Sequence, residues 1–173
     1  MESIREPDPA PSLKDKPKDK LKAARQIAIN PELFDWPSDS PALKASQCQH
    51  CGTLAFPQSK SCMACGSEEV AVRELPASGS LWTYTVQRFM PKSPYNSDET
   101  PKTYRPYGIG YVELGGAIRV ETRIPLEEGA ELALDTPMAL GFYVHRTEDD
   151  GTQVMNYHFT PVVAESGQTE SAA

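Results

Sequence analysis

The chain has 173 residues, of which 39% are hydrophobic and 16 are proline, and a formal net charge of −7. That length accommodates one ordinary domain, or a small module joined to one, with a modest core and much loop. No apolar run approaches the ~18 residues that a membrane-spanning helix needs. No apolar leader precedes the first motif, so a cytoplasmic protein is expected. Residues 1–47 carry eight Lys/Arg against eight Asp/Glu, whereas residues 48–173 carry nine against sixteen. The folded part is therefore acidic, which disfavours general nucleic-acid binding, since phosphate backbones are held by clustered cations.

Residues 1–20 hold four prolines, many charges and almost no apolar side chains. Such a stretch buries too little surface to offset its ordering entropy and is expected to be mobile. Leu21, Ala24, Ile27 and Ala28 then recur at helical spacing, so a short helix is expected from about Asp19 to Ile29. Asn30-Pro31-Glu32 offers an N-cap followed by proline, the signature of a second helical start. Leu33, Phe34 and Trp36 make a small apolar cluster. It reads either as core or as a set of anchors on an arm that docks a partner. Residues 1–42 are taken together as a flexible, partly helical arm.

The next stretch contains all four cysteines of the chain. Cys48 and Cys51 form one CxxC pair, Cys62 and Cys65 a second, with ten residues between the pairs and glycines at 52 and 66. A CxxC turn brings two thiolates to one cation, and a second such turn completes a tetrahedron. Glycine after each pair suits a tight knuckle because it accepts positive φ. The alternatives are two disulfides, which need an oxidising compartment, or a redox CxxC. Four thiolates accept zinc or iron; zinc is the commoner occupant of structural knuckles. His50, inside the first pair, is a surface histidine or a substitute ligand. Residues 43–76 thus form a metal ribbon too small to be stable without its ion.

From Gly79 onward the pattern is β. Strands are expected at Leu81–Val86, Tyr107–Leu114, Ala117–Ile124, Met138–His145 and Val154–Thr160, all dense in β-branched and aromatic residues. Gly115-Gly116 marks a hairpin turn and Glu148-Asp149-Asp150-Gly151 another. Residues 91–106 carry four prolines and form a long loop, a length usually functional or disordered. Residues 125–136 read as a connection with a helical turn. Five strands with this break match a five-stranded OB-type barrel over residues 77–163, followed by a disordered tail at 164–173. The fold class is mainly β: helical arm, four-cysteine ribbon, barrel.

The combination resembles the OB-fold acyl-CoA-associated family with a rubredoxin-like zinc ribbon. The resemblance is carried by Cys48-Gln-His-Cys51-Gly, Phe56-Pro57, Cys62-Met-Ala-Cys65-Gly66-Ser67, the strand from Gly79 to Val86, Pro106-Tyr107 and Tyr111-Val-Glu-Leu114. It covers roughly residues 30–162 and implies a subunit without catalytic residues of its own. Members of that family accompany thiolases and thiolase-like aldolases, completing the larger enzyme's acyl-CoA site or fixing its assembly. Arg105 to Leu114 is further similar to the small subunits of benzoylsuccinyl-CoA thiolases of anaerobic toluene breakdown. The extended N-terminal arm departs from the shorter members of the family.

The residues themselves agree. His50, His145 and His158 are scattered with no Ser or Cys motif beside them, and Glu127-Glu128 and Asp149-Asp150 read as solvated turns. No nucleophile, acid/base pair or open metal site is assembled. For CoA, phosphates need Arg or Lys and the pantetheine arm an apolar slot. Arg88, Lys92, Lys102 and Arg105 flank the long loop, interleaved with Phe89, Tyr95, Tyr104 and Tyr107. They form either an ordinary exposed loop or a basic, aromatic lip that holds CoA shared with a thiolase-like partner in a hetero-oligomer. Two further readings stay open: a single-stranded nucleic-acid module, since bases stack on rings beside cations, and a rubredoxin-like electron carrier, which requires iron.

Overall fold

The computed structural model describes residues 24–95, 97–127 and 129–162. The mobile stretch expected at 1–20, the first residues of the expected helix and the tail at 164–173 lie outside them. Nine strands account for the described secondary structure. The ribbon contributes β2 (Lys44–Cys48), β3 (Leu54–Ala55) and β4 (Val70–Glu74), in the order β3-β2-β4 and antiparallel throughout.

The barrel is built from β5 (Ser78–Gln87), β6 (Tyr107–Leu114), β7 (Ile118–Ile124), β8 (Pro137–Thr147) and β9 (Gln153–Pro161). Antiparallel pairings run β5–β6, β6–β7, β8–β9 and β5–β8. A single parallel pair, Arg123↔His158, joins β7 to β9 and completes the ring. This closed order, with the third strand parallel to the fifth, is the OB topology. Period-2 alternation fixes the register: Val120, Thr122 and Ile124 of β7 point inward, while Arg119, Glu121 and Arg123 point outward. Glycines 115 and 116 take φ of 59° and 64°, forming the expected β6–β7 hairpin turn.

The N-terminal helix is not formed in the described residues. Gln26–Ala28 is a strand, β1, pairing in parallel with Gln153–Met155 of β9. Because β7 meets β9 at one residue pair, the rest of that β9 edge offers unpaired backbone groups. A weak four-residue apolar stripe cannot outweigh them, so tertiary pairing overrides local propensity. The ladder continues on both sides, Gln153 donating to the Arg25 carbonyl and Ile29 to that of Met155, each at 2.8 Å.

The second helical start is also a turn. Asn30 Oδ1 accepts from the Glu32 amide at 2.8 Å and the Asn30 carbonyl from the Leu33 amide at 3.1 Å. That Asx-turn geometry competes with a helix cap for the same side chain. It redirects the chain so that Phe34 bridges Leu43. The 125–136 connection forms no helix among the described residues. An Ala130-to-Glu127 bond and the Leu132 amide donating to the Tyr84 hydroxyl at 2.9 Å hold it as an irregular crossing.

One core serves ribbon and barrel. Leu43, Ala45 and Leu75 from the ribbon segment join Leu81, Val112, Ile124 and Phe159 of the barrel in the same buried cluster. Phe34 is fully buried at its centre, with ring centroids 5.0 Å from Phe142 and 6.3 Å from Tyr157. Trp36 packs on Phe142 at 5.0 Å and Phe56, from the ribbon, on Tyr157 at 5.9 Å. The Leu33–Trp36 cluster is therefore core, an aromatic plug between the barrel, the ribbon and the N-terminal strap, residues 25–36 including β1. Phe34→Ala should lower the unfolding free energy by about 3–5 kcal/mol in urea denaturation, the usual cost of emptying a buried ring site. A loss below about 1 kcal/mol would show that the plug is not part of the cooperative core.

Candidate functional site

Two glycine-ended turns place the four sulfurs. Gly52 and Gly66 take φ of 76° and 75°, and their amides donate back to the carbonyls of Cys48 and Cys62 at 2.9 and 2.8 Å. The four Sγ atoms lie within 4.8 Å of one another. Two contacts cross between the knuckles, Cys48–Cys65 at 3.6 Å and Cys51–Cys62 at 3.5 Å. A disulfide would bring sulfurs to about 2.05 Å, and all four cysteines are free. A tetrahedron with metal–sulfur bonds near 2.3 Å has edges of roughly 3.8 Å, so the arrangement fits one thiolate-bound ion. The Cys51 amide points at Cys48 Sγ from 3.5 Å. Hydrogen bonds from the Thr53 side chain and backbone lower the Cys51 thiol to about 6. At Cys65 the Ser67 amide lowers the thiol, but burial and the neighbouring sulfurs push it up to about 12. A cation relieves that crowding by taking all four as thiolates. His50 is exposed and outside the sulfur cluster.

The predicted CoA-contacting residues divide by environment. Lys92, Lys102 and Arg105 are exposed, and Arg105 Nη1 donates to the Tyr104 carbonyl at 3.1 Å. Arg88 is exposed and lines a hollow of about 260 Å³ whose walls include Tyr84, Leu126, Glu127 and Glu131. Phe89 is 81% exposed beside it. Tyr104 is fixed to the barrel rim by its hydroxyl, which donates to the Gln87 carbonyl at 2.7 Å. Tyr107 is only 7% exposed; its ring meets that of Tyr104 at 6.1 Å and is covered by Arg123 at 3.8 Å. The cations therefore sit on the outside of the loop, and the two tyrosines anchor it.

A cluster that the sequence did not single out lies on the outward face of β7, β8 and β9. Arg123 stands over Tyr107, 5.6 Å from the Tyr143 ring, and reaches Glu99 of the long loop at 3.6 Å. Tyr143 stacks on His158, centroids 5.3 Å apart and planes 17° from parallel. Gly141, paired with His158, leaves the room: a Cβ there would lie 2.6 Å from His158 Nε2. Burial, then the Arg123 charge, lower the His158 imidazole below its ordinary value, so it is neutral in the folded protein at neutral pH. The long loop is pinned over this face, with the Thr147 amide donating to Asp98 at 2.9 Å and the Tyr95 hydroxyl to Glu99 at 2.9 Å.

Two outcomes follow. The purified protein should carry one tetrathiolate-bound ion per chain, and Cys48→Ser should release it and remove amide protection from β2–β4. Loss of the ion with amide protection retained would show that the ribbon folds without it. For His158, the folded value lies below the unfolded value of about 6.5. Its contribution to stability is present above that pH and is lost as pH falls through the folded value. His158→Gln should flatten the decline in unfolding free energy between roughly pH 7 and pH 5. An unchanged slope would contradict the burial of this ring.

Comparison with known proteins bears on both halves. Residues 38–71 match the rubredoxin-like zinc ribbon domain of ChsH2, and residues 72–143 match its C-terminal OB-fold domain. The chain is 27% identical over 136 residues to the benzoylsuccinyl-CoA thiolase subunit BbsA of Thauera aromatica, covering 78% of this chain and 88% of that one. The solved Ltp2-ChsH2(DUF35) aldolase shares the fold, with a TM-score of 0.52 and 23% identity over 70% of this chain and 86% of that chain. With ribbon and barrel both matched, in the same order, the chain belongs to the ChsH2 family of zinc-ribbon/OB-fold proteins.

Proposed function

We propose that this protein is a non-catalytic accessory subunit of a thiolase-like acyl-CoA enzyme complex that makes or breaks carbon–carbon bonds. The observation that carries the reading is the likeness to BbsA, a benzoylsuccinyl-CoA thiolase subunit, which extends across ribbon and barrel together. Benzoylsuccinyl-CoA thiolysis in aromatic degradation is the specific reaction this favours. In this reading zinc occupies the four-cysteine site as a structural ion, holding the ribbon so that ribbon and barrel present one surface to the larger subunit. The chain works in the cytoplasm, its residues 43–76 serving as the ribbon and 77–162 as the barrel, with β1 and Phe34 packed against them.

The partner supplies the reacting groups, and this chain helps to bind the CoA portion. Arg88, Lys92, Lys102 and Arg105 provide exposed charge for its phosphates, since guanidinium and ammonium groups hold phosphate through charge-assisted hydrogen bonds. Tyr104 and Tyr107 hold the loop that carries them. The acidic pair Glu127 and Glu131 beside Arg88 makes Lys92, Lys102 and Arg105 the stronger phosphate contacts. The same acidity, with a net charge of −7, argues against a nucleic acid as the partner.

Arg105→Ala should raise the KM of the assembled complex for acyl-CoA several-fold, with co-elution of the two subunits unchanged. Unaltered kinetics would remove the loop from the CoA site. Cys62→Ser should prevent co-elution with the thiolase-like subunit, and normal assembly of that variant would contradict a structural role for the ion.

A further inference from the structure

Arg123 borders two hollows on the outward barrel face. One, of about 380 Å³, is lined by Ile29 and Leu33 of the strap, Tyr95 of the loop, and Tyr143, Asn156 and Tyr157 of the barrel. The other, of about 370 Å³, lies under Ser97, Asp98 and Glu99 and reaches His158. The arginine is largely covered, its side chain 24% exposed, and its guanidinium carbon lies over the Tyr107 ring, 3.8 Å from the centroid. The ring face takes none of the five N–H donors of the fork as a conventional acceptor would.

Its carboxylate partner is held back. Glu99 Oε1 lies 3.6 Å from Arg123 Nη2, well beyond the ~2.7–2.9 Å of a charge-assisted N–H···O bond. The other oxygen of Glu99 is committed to its own loop, accepting from the Tyr95 hydroxyl at 2.9 Å and the Ser97 hydroxyl at 3.4 Å. The fork is therefore met by one carboxylate oxygen at long range and by the Tyr143 hydroxyl, a neutral partner that leaves the charge uncompensated. Beside it is a hollow walled by Ile29, Leu33, Tyr95, Tyr143 and Tyr157, whose lining also includes the polar side chains of Asn30, Glu121, His145 and Asn156. The apolar part of that wall beside the one guanidinium suits a flat apolar body whose carboxylate turns to Arg123 and away from Glu121.

We propose that this hollow is a binding site for a small aromatic carboxylate, gripped by Arg123, with Glu99 as the built-in competitor that the ligand displaces. Glu99 faces the cation when the site is empty, and the ligand's carboxylate takes its place, while Asp98 keeps its bond to the Thr147 amide. The inference stands whether or not a thiolase-like subunit is the partner, because it concerns this chain alone.

The test is calorimetric titration of the full-length, metal-loaded protein with benzoate, with benzamide as the uncharged isostere and inorganic phosphate as a non-planar anion. Benzoate should bind saturably, and benzamide and phosphate should not. Arg123→Gln should weaken benzoate at least about tenfold, the range of a lost hydrogen bond to a charged group. Glu99→Gln should tighten it about three- to tenfold, since the competing charge is gone while an acceptor for Tyr95 remains. If Arg123→Gln does not fold, Arg123→Lys keeps the charge without the fork and should weaken benzoate in the same direction. A purely structural ion pair makes the opposite prediction, that both substitutions lower the unfolding midpoint and neither alters benzoate binding. That result, equal binding of benzamide or phosphate, or no saturable benzoate binding to Glu99→Gln, would overturn the proposal.

Discussion

Four sulfurs around one ion are the constraint on which this architecture depends. The ribbon's sheet has strands of five, two and five residues, and β4 is mostly exposed. So little buried apolar surface does not offset the entropy of ordering the chain. One ion held by all four sulfurs links the two knuckles, whose sulfurs approach to 3.6 Å at Cys48–Cys65 and 3.5 Å at Cys51–Cys62. With the knuckles linked, β2 is held so that Leu43, Ala45 and Leu75 enter the core of the barrel. Local metal chemistry thereby becomes a condition of the larger packing.

The second determinant is the seam between β7 and β9. An OB barrel closed through one residue pair leaves part of a strand edge uncovered, and the chain answers with its own N-terminal segment. A short hydrogen-bond chain, Trp36 Nε1 to Gln26 and Gln26 Nε2 to Gln153, ties the strap to β9 side by side with the backbone ladder. Beyond the strap the aromatic plug takes over, with Phe34, Trp36 and Phe56 converging on Phe142 and Tyr157. Strap, ribbon and barrel are consequently one packing unit, and the strap forms one wall of the hollow beside Arg123.

Much of this was legible in the residues. CxxC spacing with trailing glycines encodes ion geometry locally, and five runs of β-branched and aromatic residues encode strands whose bounds shift by a few residues at most. The strap was not legible. Ile27 and Ala28 fit a helical stripe as well as a strand, and the deciding partner, the edge of β9, lies more than a hundred residues away. Asn30-Pro31 misled for a related reason, since an Asx turn and a helix cap use the same side-chain oxygen. Arg123 was hidden differently. Alternation along β7 placed it on the outer face, but nothing in the sequence indicates that the proline-rich loop folds back to bring Glu99 to it. Tyr107 could be assigned to the loop's aromatic set, yet not to burial beneath a guanidinium.

The proposed role is that of a zinc-tied β scaffold serving a larger enzyme's acyl-CoA chemistry. Its most direct test is purification of the native complex under mild conditions, with mass spectrometry of the intact assembly and its metal content. The account predicts a larger thiolase-like subunit bound to this chain, zinc in proportion to it, and acyl-CoA turnover confined to the assembly. Recovery with a nucleic-acid-processing machine, or turnover by the isolated chain, would contradict it.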